Sequence, residues 1–173
     1  LNGFIESIHT HPKPVIAAVE GAAAGAGFSL ALACDLVVAA RNAVFVMAYS
    51  NVGLSIDGGG TWQLARKLPA NLALEWMLTG DKQSADRLLA LGLVNRVVDA
   101  GDALQVALSL ASSINAKAPN VMSSIKELAQ AAQTNDLHAQ LALECEHFTN
   151  NLHHANGGIG IEAFLNKRTP SYI

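Results

Sequence analysis

KPVIAAVEGAAAGAGFSLALACD, residues Lys13 to Asp35, reads as a strand, a glycine-bearing turn and a helix in succession. Lys13-Pro14 opens it. Val15-Ile16-Ala17-Ala18-Val19 is a short apolar run bounded by Pro14 and Gly21, the pattern of a buried strand. Gly21, Gly25 and Gly27 punctuate the alanine-rich segment that follows, and glycine there permits positive φ and close approach of another group to the backbone. From Gly27 the pattern turns helical, with Leu30, Ala31 and Cys34 at three- and four-residue spacing, ending at Asp35. A helix that starts at a glycine turn presents unpaired N–H groups and the positive end of its dipole. Such a mouth suits an anion or an oxyanion. A tightly packed strand–helix crossover with no chemistry fits this stretch as well.

Several motifs are excluded. Gly25-Ala26-Gly27-Phe28-Ser29-Leu30 lacks the third glycine of a dinucleotide fingerprint, and no lysine supplies a phosphate-binding P-loop. Gly27-Phe28-Ser29-Leu30-Ala31 fails at the last position of a nucleophile elbow. The Gly21-to-Gly25 spacing resembles a membrane dimer motif. The uncharged run between Glu20 and Asp35 is 14 residues, too short to span a bilayer.

The 173 residues suggest one domain. Hydrophobic residues make up 51% and charged residues 14%, against about 25% charged in an average globular protein. So few charges leave little to cover a monomer's surface, and a large apolar subunit interface is the simplest reading. A net charge of −3 without a Lys/Arg cluster speaks against a nucleic-acid partner. Cys34 and Cys145 lie in apolar segments and read as reduced core residues of a cytoplasmic protein. Neither has the Cys/His company of a metal site. His9 and His11 sit at a chain break without a third ligand at suitable spacing, so no metal is expected.

Phe4, Ile5 and Ile8 mark the inner face of a helix ending near His9, and His11-Pro12-Lys13-Pro14 breaks it. Leu36–Ala40 and Ala43–Ala48 read as a second and third strand around the turn at Arg41-Asn42. Ser55–Gly60 is a turn, followed by helices over Thr61–Leu68 and Ala70–Leu78, the second closed by Gly80. Ser84-Ala85-Asp86 starts another helix, and Leu93–Val98 is a strand. The rest is helical: Asp102–Asn115, Asn120–Gln133 and Asp136–His153, the last with Leu137, Leu141, Cys145, Phe148 and Leu152 on one face. Asn156-Gly157-Gly158 is expected to break the chain before a short helix over Gly160–Asn166. Strands alternating with helices give an α/β layered core.

KPVIAAVEGAAAGAGFSLALACD, AVFVMAYSNVGLSIDGGGTWQLARKL, LTGDKQSADRLLALGLVNRVVD and EAFLNKRTPSY form one ordered series. Together they resemble the crotonase superfamily, the enoyl-CoA hydratase/isomerase enzymes, from Lys13 to Tyr172. The resemblance implies an α/β fold of the ClpP/crotonase type: a spiral of ββα turns with a C-terminal helical trimerisation region. Residues 1–100 would form an incomplete spiral core and 101–173 the helical region. Members of ordinary domain size carry roughly 80 further residues before this point, holding early ββα turns, part of the acyl-CoA pocket and one oxyanion N–H. A coenzyme A thioester is then the substrate, with no resident cofactor. The assembly would be a homotrimer or hexamer in the cytoplasm, away from membranes and nucleic acid.

The family's second oxyanion donor falls on the N–H of Ala26, flanked by Gly25 and Gly27. Losing one such donor typically costs about 3 kcal/mol of transition-state stabilisation. Hydratases of the family use two glutamates, and ungapped counting puts Ser29 and Tyr49 at those positions. Syn addition of water needs a base to activate it and an acid to deliver the α-proton, so the usual hydration pair is missing. Asp57, in Leu54-Ser55-Ile56-Asp57-Gly58-Gly59, falls where single-carboxylate isomerases carry their acid/base. The pattern also resembles the ring-oxepin and enoyl-CoA isomerases of phenylacetate degradation. An N-cap for the following helix is the structural alternative for Asp57, whereas a buried pocket carboxylate needs a task or a partner.

Asp57 further matches the nucleophile of 4-chlorobenzoyl-CoA dehalogenase, but Asn2 stands where that enzyme has its histidine base. Ser29 raises the ClpP-type serine proteases, yet no histidine matches their base; Ser29 and Tyr49 are expected to line the substrate pocket with Gly58. Lys167, beside Arg168, resembles the family's C-terminal basic pair near CoA phosphates, with a solvated tail as the alternative. The expected activity is enoyl-CoA isomerisation through Asp57. A non-standard hydratase and an inactive oligomeric scaffold are the alternatives.

Overall fold

The computed structural model describes residues 1–173. The chain forms two compact units, one of Leu1–His11 and Val15–Leu110, the other of Pro12–Pro14 and Ala111–Ile173.

The first unit opens with α1 (Asn2–Thr10), which buries Ile5 and Ile8. Phe4, expected on the same inner face, is exposed instead. β1 (Ile16–Val19) leads through Gly21 into β2 (Ala22–Ala24), and α2 (Ala26–Ala33) follows. β3 (Leu36–Ala40) then returns beside β1, and β4 (Val44–Val46) beside β2, both parallel. One ββα turn thus feeds two sheets alternately. β2 hides among alanines and glycines, which carry little strand propensity; its pairing with β4 supplies what the local sequence lacks.

After β4 come α3 (Gly60–Lys67), α4 (Ala70–Thr79), the two-residue strand β5 (Gln83–Ser84), α5 (Ala85–Ala90) and β6 (Arg96–Val98). The sheets have the orders β1-β3-β6 and β2-β4-β5. Central β3 is buried along Val37–Ala40, whereas the edge strand β1 is only half-buried. The core packs Phe28 and Leu32 of α2 against Phe45, Met47, Leu64 and Leu88. Phe28 and Phe45 meet at a ring separation of 5.3 Å, and complete burial of each such side chain contributes about 1.5–3 kcal/mol. A smaller cluster joins Val38 to Ala103 and Ala107 of α6 (Ala103–Asn115). Glu20, at the end of β1, accepts from the N–H groups of Gly101 and Ala103 at 2.8 and 2.6 Å and so caps α6.

The second unit contains α7 (Pro119–Ala131), α8 (Leu137–His153) and α9 (Ala155–Leu165). Pro119 at the first position and the Asp136 side chain, accepting from Ala139 N–H at 2.8 Å, start α7 and α8. Asn156-Gly157-Gly158 does not break the chain as expected. α9 runs through it, because His154 caps the new helix and Gly157 sits where a Cβ would come within 2.5 Å of the Asn151 carbonyl. The glycine there serves a close crossing, not a turn. Cys34 is buried, but Cys145 is exposed, contrary to its expected place in the core. No helix is long and apolar enough to cross a membrane.

Candidate active site

The mouth of α2 is built first. Gly25 precedes the helix at φ 52 and ψ −117, a conformation open to glycine and strained for other residues. Its N–H donates to the Val46 carbonyl at 2.9 Å, which ties the mouth to β4. Its own carbonyl accepts from the N–H groups of Phe28 and Ser29, both at 3.0 Å. The N–H groups of Ala26 and Gly27 are left at the exposed first turn without a backbone acceptor. Two adjacent donors at the positive end of a helix can stabilise an oxyanion. At the other end of α2, Lys67 donates to the Leu32 carbonyl at 2.7 Å. A cation there complements the helix dipole. Burial lowers the Lys67 pKa from its usual value, opposed by the nearby Asp35 charge.

The second segment follows β4. Tyr49 precedes a 3-10 turn at Ser50–Val52 and is buried, with 9% of its surface exposed. Its ring lies against Gly25: a Cβ on that glycine would stand 3.6 Å from Cζ and 3.7 Å from Cε2. Its Oη donates to Asp57 Oδ1 at 2.6 Å. Burial raises the phenol pKa above its usual value, and the hydrogen bond and charge of Asp57 raise it further, while Ser29 acts the other way. The phenol therefore stays protonated and serves as a donor to the carboxylate.

The third segment is the glycine turn before α3. Asp57 does not cap that helix with its side chain; Gly59, at φ 74, occupies the cap position without a side-chain bond. The turn closes by Gly60 N–H donating to the Asp57 carbonyl at 3.2 Å, and Ser29 Oγ donates to the same carbonyl at 3.2 Å. A Cβ at Gly60 would lie 2.7 Å from Ser29 Oγ, so α2 and α3 approach this closely only over glycine. Asp57 is exposed, not buried as a pocket carboxylate was expected to be. Its partner is Tyr49.

Gly25, Ala26, Gly27, Ser29, Tyr49, Asp57 and Gly58 thus come together in the first unit. Gly58 is buried, and Ser29 is fully buried, so in this chain its hydroxyl touches protein. That hydroxyl gives its proton to a carbonyl and not to a base. Lys167 belongs to the second unit, where it follows α9 at φ 52 with its side chain exposed; the adjacent Arg168 pairs with Glu162 at 2.7 Å. No group of three His, Cys, Asp or Glu residues could hold a metal ion. Sequence reasoning named Tyr49 and Asp57 separately and missed the bond between them. It also missed Lys67, whose only signal is a basic last turn on α3.

The family model described as enoyl-CoA hydratase/isomerase matches residues 3–173. The chain belongs to this family. Over 171 residues it is 39% identical to the 1,2-epoxyphenylacetyl-CoA isomerase of Escherichia coli (strain K12), covering 99% of this chain and 65% of that protein. It is 36% identical over 164 residues to the carnitinyl-CoA dehydratase of Salmonella typhi, covering 91% and 62%. The crystal structure of an enoyl-CoA hydratase from Polaromonas sp. JS666 superposes with a TM-score of 0.97 at 65% identity, over 99% of this chain and 67% of that one. The chain spans a little under two thirds of these curated relatives. Its alternating β1-β2-α2-β3-β4 turn is that of the crotonase fold. The names of these enoyl-CoA hydratase/isomerase relatives cover isomerisation, dehydration and hydration, so the reaction has to be argued from residues.

Proposed function

We propose that this family member isomerises 3-enoyl-CoA to 2-enoyl-CoA in the cytoplasm, with Asp57 as its acid/base. The observation that carries the reading is a single carboxylate held at 2.6 Å by Tyr49 beside the open α2 mouth. Asp57 removes a proton from C2 of the acyl thioester. The Ala26 N–H holds the enolate oxygen as charge moves onto it. The carboxylic acid then returns the proton at C4, which shifts the double bond and regenerates the carboxylate. One group suffices because the proton leaves and returns in turn. Hydration would need a second group acting on water at the same time, and Ser29 and Tyr49 supply no carboxylate there.

The 65% identity to a Polaromonas enoyl-CoA hydratase favours a second reading, hydration with the Tyr49 phenol as the other proton carrier. Both reactions should be followed side by side on the full-length polypeptide. Isomerisation is expected to be the faster. Asp57→Asn should lower it by about 100-fold or more, and Ser29→Ala should cost much less. Faster hydration than isomerisation, or near-normal isomerisation by Asp57→Asn, would exclude the mechanism.

Coenzyme A thioesters are the proposed substrates, with Lys167 assigned to their phosphates. The assembly is proposed to be a homotrimer or hexamer. What supports this is the exposed apolar row on α8, with Leu137, Leu141, Phe148 and Leu152 between 45% and 75% exposed.

A further inference from the structure

We propose that Tyr49 is the positioning residue of this site, holding the Asp57 carboxylate in register with the α2 mouth. The inference rests on the reading of Asp57 as acid/base. Asp57 opens a turn with positive φ at Gly58 and Gly59, and its side chain is exposed. Such a carboxylate, left alone, would sample several rotamers, and ordering it carries an entropic cost. Two hydroxyls remove that freedom. Ser29 Oγ fixes the backbone end through the Asp57 carbonyl at 3.2 Å. Tyr49 Oη fixes the carboxylate end through Oδ1 at 2.6 Å.

Tyr49 also faces the other half of the machinery. Its ring edge lies where a Cβ on Gly25, the residue that sets the start of α2, would meet it at 3.6 Å. One rigid aromatic ring therefore spans from the oxyanion donors to the acid/base. With Oδ1 taken by the phenol, proton exchange with substrate is directed to Oδ2. A side chain held within a fraction of an ångström is worth large factors in rate, since misplacement by about 1 Å costs about 100-fold. The Ser29 bond to the Asp57 carbonyl remains when the phenol is lost, so the net effect of losing the Tyr49 bond is smaller than full misplacement.

The test is a double-mutant cycle on the full-length polypeptide, reading kcat and KM for 3-enoyl-CoA isomerisation in wild type, Tyr49→Phe, Asp57→Asn and the double variant. Tyr49→Phe keeps the ring beside Gly25 and removes only the hydroxyl. The expected result is a roughly tenfold fall in kcat with KM within about twofold. In the Asp57→Asn background the same change is expected to cost nothing further, because the group it positions no longer works. If Asp57→Asn is strongly impaired but Tyr49→Phe keeps its kcat, or its effect multiplies undiminished in the double variant, the positioning role is overturned while the acid/base reading stands. A rise confined to KM in Tyr49→Phe would also overturn it, making Tyr49 a substrate contact. Near-normal isomerisation by Asp57→Asn, or none by wild type, overturns the acid/base reading and the positioning role with it.

Discussion

The first unit exposes Phe4, Leu54 and Trp62 yet keeps a buried core of large apolar side chains, whereas the second unit buries no large apolar side chain at all. Phe28, Phe45, Leu64 and Leu88 are each 1% exposed or less. In the second unit only Ala118, Lys126, Asn156 and Ala163 are buried, and α8 buries none of its residues. Phe148, Phe164 and Leu165 are 69%, 82% and 73% exposed. What fixes the second unit internally is polar. Asn156 donates to Asn120 Oδ1 at 2.8 Å and to the Ile173 carbonyl at 2.9 Å, and accepts from Ile173 N–H at 3.0 Å. Asn120 in turn donates to Asn151 Oδ1 at 2.6 Å. Apolar residues at helical spacing therefore encode two different things in one chain. In the first unit they make a core that positions a site. In the second they make a face, and buried amides supply the specificity.

The sharpest break in that contrast is Phe45→Ala. It removes a fully buried ring from the contact with Phe28 in the first unit's core. A cavity of that kind is expected to cost about 3–5 kcal/mol, read as a lower urea midpoint at unchanged slope. Loss below 1 kcal/mol would mean that the core is far looser than its burial implies.

Asn156→Ala is the corresponding test of the second unit. It deletes three hydrogen bonds from a side chain in a residue only 2% exposed. The expected cost is about 2–3 kcal/mol, since the Asn120 amide and the Ile173 backbone lose a buried partner. Amide exchange at Ile173 should accelerate. A neutral substitution would show that water replaces the asparagine without loss.

These two substitutions also mark what the sequence makes legible. Phe45 sits in an apolar run whose strand character is local. β3, α4 with its Gly80 stop, and α8 with its Asp136 cap follow from such local signals too. Asn156 precedes two glycines, and the pattern of a break conceals a helix that needs glycine for close crossing. The Glu20 cap on α6 joins residues more than 80 positions apart, which no periodicity encodes. For the site, the residue types and the Gly25 turn are readable, because glycine at positive φ and a carboxylate in a glycine turn are chemically conspicuous. The Tyr49–Asp57 bond is not, since the intervening 3-10 turn decides where both side chains end. The apolar stripe of α8 is legible as a stripe, and its Leu137, Leu141, Phe148 and Leu152 are all exposed, but periodicity alone does not tell a core from an interface.

Phe148→Ser carries the smallest effect on the fold and separates those two uses of an apolar stripe. Phe148 is 69% exposed in the single chain, and a surface substitution away from caps and cores changes stability by less than about 0.5 kcal/mol. If α8 presents an interface, the same substitution acts on assembly instead, because a buried aromatic anchor in an interface contributes about 2 kcal/mol or more. Light scattering on the full-length polypeptide at micromolar concentration should then show a trimer or hexamer for wild type and smaller species for Phe148→Ser. Urea unfolding of the dissociated protein should remain near normal. A wild type that is monomeric would remove the interface reading of this face. An assembly that persists in Phe148→Ser would move the contact to the other exposed side chains of the second unit, Ile161, Phe164 and Leu165 on α9.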